Sequence, residues 1–74
     1  MNNTKDIEVI KKFGENLKSI RSSRKISQEN LAYAADIPIS QIGRIERGEI
    51  NTTISTISAL AKALEIPLSE LFNF

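Results

Sequence analysis

The side chains of this sequence that could do chemistry are hydrogen-bond donors and cations, and several of them share one face of a short segment. Helical spacing over positions 38 to 47 separates an inner side, which carries isoleucines, from an outer side. The outer side carries Ile39, Ser40, Gly43, Arg44 and Arg47. This face is small at its centre and basic toward its end. Its hydroxyl and guanidinium groups donate hydrogen bonds, and a guanidinium also pairs with anions.

The composition argues against catalysis. The 74 residues include no His and no Cys, which excludes a histidine general base, a thiolate nucleophile and a Ser-His-Asp relay. A chain this short also seldom encloses a substrate pocket of about 300 Å³ or more. We therefore expect no enzyme and no catalytic residues. The usual zinc ligands are missing too, so we expect no metal and no cofactor.

Length and composition indicate one soluble domain over residues 1–74. The sequence is 41% hydrophobic and 26% charged, which is ordinary for a globular protein. It contains no apolar run of about 18 residues, and the polar stretch from Met1 to Asp6 lacks the apolar segment of a signal peptide. We expect a cytoplasmic protein that does not enter the membrane.

Charge is distributed unevenly along the chain. Residues 1–25 contain seven basic and three acidic residues, a net +4, whereas the rest contains three basic and six acidic residues, a net −3. The basic first third could face an anion. Scattered lysines on a solvated helix face explain it equally well.

The elements that must position the outer face are predicted to be five helices, with no strands. The first runs from about Lys5 to Arg24 and is capped by Asn3 or Thr4. Ser27 caps a short second helix, and the third runs from about Pro38 to Arg47 and ends at Gly48. Thr53 caps the fourth helix, and Pro67 starts a short fifth one.

Two apolar stripes at helical spacing predict the main core. In the first helix they are Ile7, Ile10, Phe13, Leu17 and Ile20, and in the fourth Ile54, Ile57, Leu60, Ala61 and Leu64. Gly14 lies inside the first helix, either for close packing or because it is merely tolerated. Asp36 stands at the turn after the second helix, where it can adopt a left-handed conformation. Ile37 follows it as a buried plug.

Two short helices joined by a tight turn, at about residues 27–47 of a small all-helical domain, are the sequence form of a helix-turn-helix. Here the chain resembles the lambda-repressor and Cro-type helix-turn-helix proteins, also called the xenobiotic-response-element family. The matching residues are Phe13-Gly14, Leu17, Arg21, Ser27-Gln28-Glu29, Leu31-Ala32, Ile37, Ile42, Ile45-Glu46-Arg47-Gly48, Asn51, Thr53-Ile54, Ile57, Ala61, Ala63-Leu64 and Leu71-Phe72. They cover about residues 13–72. The motifs around Gln28, Glu46 and Leu64 are jointly specific in this order and spacing.

The resemblance implies an all-α, five-helix DNA-binding domain whose second helix lies over the groove and whose third helix enters it. The implied base-reading residues are Ile39, Ser40, Gln41 and Arg44. Arg44 could bond guanine O6 and N7 together, Ser40 could bond either kind of base, and Ile39 could pack on a thymine methyl. Ile39 could equally be a stray surface apolar residue.

Backbone contacts are also implied by the resemblance. Gln28 matches the family glutamine that bonds a phosphate and braces the recognition helix, and a helix N-terminus suits that role. The other implied phosphate contacts are Arg47, Asn51, Thr52 and Thr53. Asn51 and Thr53 also have local roles as loop and cap residues.

Two further residues, Arg21 and Glu46, occupy positions that form a buried ion pair in the family, so we interpret them as structural. Gly43 leaves bare backbone in the middle of the outer face, either to let the helix sit deep in the groove or because this position reads nothing.

Apolar side chains near the C-terminus predict a homodimer. Leu68, Phe72 and Phe74, within a C-terminal helix at residues 66–74, are more apolar surface than so small a core covers. A two-fold dimer through these residues would hold its reading helices about 34 Å apart on a roughly palindromic operator.

The functional prediction is a transcriptional regulator, either a repressor or a controller, that binds double-stranded DNA as this homodimer. Small proteins of this family resemble restriction-modification controllers, phage-type repressors and antitoxins. The alternative is therefore an antitoxin that neutralises a toxin protein and autoregulates its operon. A further alternative, which involves no DNA binding, is a helical interaction module that keeps this fold but has lost the residues that contact the DNA groove.

Overall fold

Polar side chains start three of the α-helices by accepting a hydrogen bond from a free backbone N–H in the first turn. Asp6 Oδ1 accepts from Val9 N at 3.1 Å, Ser27 Oγ from Asn30 N at 3.0 Å, and Thr53 Oγ1 from Thr56 N at 3.2 Å. The predicted caps Ser27 and Thr53 are confirmed. The first helix was predicted to start earlier, but Asp6 is its cap. Asn3 and Thr4 lie outside the described residues.

The computed structural model describes residues 5–74. Its four α-helices are α1 (Ile7–Ser23), α2 (Gln28–Ala35), α3 (Ile39–Glu46) and α4 (Ile54–Leu64), and a C-terminal 3₁₀ helix spans Leu68–Phe72. The chain is all-α as predicted, over the part that the structure describes. The fifth helix is not an α-helix, because the five residues after Pro67 form only the short turn that 3₁₀ geometry suits.

All four α-helices end in the same way. A residue with positive φ follows each helix, and its N–H and the next N–H bond back to carbonyls of the last turns. These left-handed residues are Lys25, Asp36, Gly48 and Glu65. The prediction for Asp36 is confirmed, with φ 58 and ψ 48. The turn between α2 and α3 is therefore closed by α2's own last carbonyls.

The core lies where α3 is enclosed by α1 and α2, with α4 packed against α2. The large side chains that are fully buried there are Leu17, Leu31, Ile42, Ile45, Leu60, Leu64 and Leu71. The predicted stripes were wrong at their first members, since Ile7 is 57% exposed and Ile54 is 79% exposed. Each is the first residue of its helix, so it projects past the end of the core.

A close approach of α1 to α3 explains Gly14, which the sequence left undecided. A Cβ at Gly14 would collide with the Ile45 carbonyl oxygen and lie 2.8 Å from the Glu46 carbonyl oxygen. Both neighbours are backbone atoms of α3. The glycine therefore sets how closely the two helices pack, and with that the depth at which α3 sits.

The C-terminal segment is tied to α1. Asn16 Nδ2 donates to the carbonyl oxygens of Glu70 and Leu71, both at 2.9 Å. The Phe72 ring lies 5.2 Å from the Phe13 ring, centroid to centroid. In residues 5–74 we found no helix of the length and apolarity that a membrane crossing requires.

Candidate nucleic-acid interface

The outer face of α3 is presented to solvent because its inner face is packed. Ile42 and Ile45 are buried against the core, whereas Ser40 and Arg44 are exposed and Gln41 is half-buried. Ile39 is 50% exposed at the start of the helix. The structure thus places all four predicted base-reading residues on α3, and leaves three of them open to solvent.

A buried polar network holds α3 from below. Glu46, whose side chain is 2% exposed, accepts from Arg21 Nε at 2.6 Å and from Arg21 Nη2 at 3.1 Å. Arg21 Nη1 donates to the Ile26 carbonyl oxygen at 2.8 Å. The hydrogen bond to Glu46 raises the pKa of the Arg21 guanidinium. The two predicted partners form a two-point ion pair that joins α1 to α3.

Gln28 completes this network. Its Nε2 donates to Glu46 Oε1 at 2.9 Å, so the first residue of α2 is bonded to the last residue of α3. This contact fixes the angle between the two helices of the motif. An amide nitrogen carries two hydrogens, so Gln28 keeps a second donor.

Two arginines and one carboxylate lie at the C-terminal end of α3. Arg47 Nε donates to Glu49 Oε2 at 2.7 Å, and Arg44 Nε lies 3.7 Å from Glu49 Oε1. All three side chains are about half exposed. The hydrogen bond from Arg47 lowers the pKa of the Glu49 carboxyl, and the same bond raises the pKa of Arg47. Glu49 was not among the predicted site residues, although an acid two residues beyond Arg47 indicates a partner for that arginine.

Gly43 was predicted to leave bare backbone exposed on the outer face of α3, and this prediction was wrong. It is buried, because Arg47 folds back over it: a Cβ there would lie 3.0 Å from Arg47 Nη1. The same point is 3.9 Å from Gln28 Nε2. Two donors, one from α2 and one from the end of α3, therefore both lie within 4 Å of the point where a side chain at Gly43 would begin.

The predicted phosphate residues between α3 and α4 fall into two groups. Asn51 is exposed, and Thr53 caps α4 while its Oγ1 also donates to Thr56 Oγ1 at 3.1 Å. The side chain of Thr52 points inward: its Oγ1 is buried without a hydrogen-bond partner among the described residues. The Thr52 hydroxyl is thus turned away from solvent, and a phosphate contact by Thr52 stays a prediction that falls on its backbone N–H.

The predicted dimer residues Leu68, Phe72 and Phe74 all have large exposed fractions. Phe72 and Phe74 stand beside each other, with ring centroids 6.4 Å apart. Phe72 also borders an apolar groove that runs between α1 and the start of α4. The groove is lined by Val9, Ile10, Phe13, Ile50, Asn51, Thr52, Ile57 and Phe72.

Comparison with known proteins agrees with this geometry. The family described as "Helix-turn-helix" matches residues 17–71. The control protein C.SmaI of Serratia marcescens is 39% identical over 61 residues, which are 82% of this chain and 73% of that protein. The immunity repressor protein of Bacillus phage phi105 is 40% identical over 58 residues, which are 78% of this chain and 40% of the repressor.

A solved structure shows the same fold. The restriction-modification controller protein C.AhdI from Aeromonas hydrophila superposes with a TM-score of 0.84 at 40% identity, covering 85% of this chain and 96% of the controller. The family match over residues 17–71 spans both helices of the motif and the residues of the network beneath them. The chain therefore belongs to the helix-turn-helix family of DNA-binding transcriptional regulators.

Proposed function

We propose that this protein binds a roughly palindromic DNA operator as a homodimer and regulates transcription there, with α3 in the major groove. The observation that carries the proposal is the outer face of α3, where exposed donors are held by a buried network that reaches α1 and α2. The relatives named above are control proteins and a repressor, which supports regulation as the role. Toxin neutralisation finds no support among them.

Direct reading of bases is assigned to four residues of α3. Arg44 presents a planar guanidinium that can bond guanine O6 and N7 together, which is worth about 1–3 kcal/mol of discrimination. Ser40 and Gln41 add shorter donors and acceptors one turn earlier. Ile39, half exposed at the leading end, supplies an apolar contact for a thymine methyl.

Phosphate contacts are assigned to both edges of the motif. Gln28 Nε2 and Arg47 Nη1 both lie near Gly43, and Gln28 Nε2 keeps a second hydrogen, so we assign both to one phosphate. Asn51 and the backbone N–H groups of Thr52 and Thr53 lie ahead of α4, whose N-terminal end favours an anion. Such contacts position the protein without reading the sequence.

Selection of bound duplexes from a random library tests the proposal, with Arg44→Ala in parallel. The wild type should enrich a palindrome with half-site centres about 10 bp apart. The variant should relax the preference at one base pair per half-site and weaken operator binding by about 1–3 kcal/mol per arginine.

Lys62→Ala is the matched control, because Lys62 is an exposed cation near the far end of α4. It should leave the selected sequence unchanged. If folded wild type enriches no sequence, the proposed function is wrong. If the palindrome is unaltered in Arg44→Ala, the base-reading assignment alone is wrong.

The dimer surface is assigned to Leu68, Phe72 and Phe74. Phe74 is 53% exposed, and burying such a ring is worth about 1.5–3 kcal/mol, counted once per copy in a two-fold dimer. We expect Phe74→Ser to raise the dimer dissociation constant by roughly 10-fold or more in sedimentation equilibrium. Tyr33→Ser, at the single aromatic residue of α2, which is 90% exposed, should leave the dimer dissociation constant unchanged. Equal dimerisation of wild type and Phe74→Ser would contradict this surface.

A further inference from the structure

The end of α3 departs from a pattern that the other three α-helices share. After α1, α2 and α4 the left-handed residue is followed by an isoleucine that packs into or against the core. These isoleucines are Ile26, Ile37 and Ile66. After α3 the corresponding residue is Glu49, which is exposed. The fold thus has an isoleucine at three helix ends and a charged residue at the fourth, next to the outer face of α3.

The backbone holds Glu49 in a defined place. Its N–H donates to the Arg44 carbonyl oxygen at 2.9 Å, and the Gly48 N–H donates to the Ile45 carbonyl oxygen at 3.0 Å. Gly48 has φ 75, a conformation that glycine adopts without strain. The end of α3 therefore carries the Cα of Glu49 in a defined position, next to Arg44 of α3 and Arg47 just beyond it.

The carboxylate engages one side of each guanidinium. On Arg47 it meets Nε at 2.7 Å and Nη2 at 3.5 Å, while Arg47 Nη1 lies over Gly43. On Arg44 it approaches Nε at 3.7 Å. A guanidinium has five donor hydrogens, so Arg44 can keep Glu49 at Nε while its terminal nitrogens reach a base. A glutamate carboxyl is an anion at neutral pH, and the hydrogen bond from Arg47 lowers its pKa further.

We propose that Glu49 is a specificity-determining residue whose carboxylate takes the place of a DNA phosphate at Arg44 and Arg47. This inference rests on the proposed function. Binding to unselected DNA consists almost entirely of phosphate contacts. There Arg44 has no matching base and pairs with phosphates only by leaving Glu49, and the carboxylate repels the backbone. At the operator Arg44 bonds a base with its terminal nitrogens while its Nε stays paired with Glu49. Less binding free energy is therefore lost in separating the ion pair.

Equilibrium binding of wild type, Glu49→Gln and Glu65→Gln tests this proposal. Each protein is titrated, over a range of KCl concentrations, against the selected operator and a scrambled duplex of equal length. Glu65→Gln removes the same charge at the opposite end of α4 from Thr53. Glu49 and Glu65 are both exposed, so circular dichroism should show both variants folded.

We expect Glu49→Gln to raise the affinity for the scrambled duplex more than the affinity for the operator. Glu49→Gln should bind the scrambled duplex about 3- to 10-fold more tightly, and its slope of log K against log salt should steepen by about one for each protomer bound. Operator binding should gain less, so the ratio of operator to scrambled affinity falls by about 3-fold or more. Glu65→Gln should keep the wild-type ratio and slope.

Three results would overturn the proposal. One is an equal rise in affinity for both duplexes, which would mean that Glu49 affects DNA binding only through its charge and not through specificity. Another is wild-type behaviour of Glu49→Gln in a protein whose wild type enriches and binds an operator; in that case the proposed function stands and only this inference falls. The last is a wild type that enriches no sequence, in which case both fall together.

Discussion

Arg21→Met should lower the free energy of unfolding by about 3–5 kcal/mol, because it leaves the buried Glu46 carboxylate without its cation. Glu46 would retain only the hydrogen bond from Gln28 Nε2. The Ile26 carbonyl oxygen would lose its bond from Arg21 Nη1 as well. A domain this small draws only about 3–5 kcal/mol from its core, so the variant should be largely unfolded at room temperature. Urea denaturation followed by circular dichroism measures the effect.

The exposed pair of Lys12 and Glu8 provides the control. Lys12 Nζ lies 3.5 Å from Glu8 Oε2 across one turn of α1. Lys12→Met, the same kind of truncation of a cation, should cost only about 0.2–0.5 kcal/mol.

A double variant separates charge burial from packing. Replacing both buried partners with apolar side chains of similar volume is often neutral or stabilising. Arg21→Met with Glu46→Met should therefore recover most of the loss, although Gln28 then has no acceptor at this position. Equal destabilisation by Arg21→Met and Lys12→Met would contradict the structural role of the buried pair.

Gly14→Ala should destabilise the protein by about 3 kcal/mol, the upper part of the range for an overpacked core. The added Cβ meets two carbonyl oxygens of the α3 backbone, which cannot rotate away as a side chain would. α1 and α3 must separate instead, and this also stretches the contact between Arg21 and Glu46. The gain in helix propensity, up to about 1 kcal/mol, is too small to offset this. Thermal unfolding should show a Tm lower by roughly 4–8 °C per kcal/mol.

Gly43→Ala is the matched control for Gly14→Ala, since both glycines are buried inside α-helices. Its Cβ would meet no backbone atom of a neighbouring element, only the movable end of the Arg47 side chain at 3.0 Å and Gln28 Nε2 at an ordinary contact distance of 3.9 Å. We expect Gly43→Ala to leave stability unchanged or to raise it by up to about 1 kcal/mol. A Gly14→Ala variant as stable as Gly43→Ala would refute the close packing of α1 on α3.

Local sequence was sufficient for the helices and for most of the core. The caps Ser27 and Thr53, the turn at Asp36 and the buried side of α3 each depend on residues a few positions apart, so they were predictable. Ile7 and Ile54 were predicted to be buried because periodicity does not show where the core ends. The last helix was predicted without its 3₁₀ geometry, because composition does not distinguish the two types in so short a segment.

In the candidate site too, some features follow from the sequence and others only from the tertiary structure. The amino-acid order by itself determined which side of α3 faces out, which residues match the helix-turn-helix pattern and that Arg21 and Glu46 are candidates for a pair. Tertiary structure alone decided that Gly14 is a contact point, that Arg47 covers Gly43, that the Thr52 hydroxyl points inward and that one carboxylate bridges two arginines. The physical reason is that helix periodicity records which face is apolar, whereas a close approach or a shared charge depends on how separate helices and loops are placed in space.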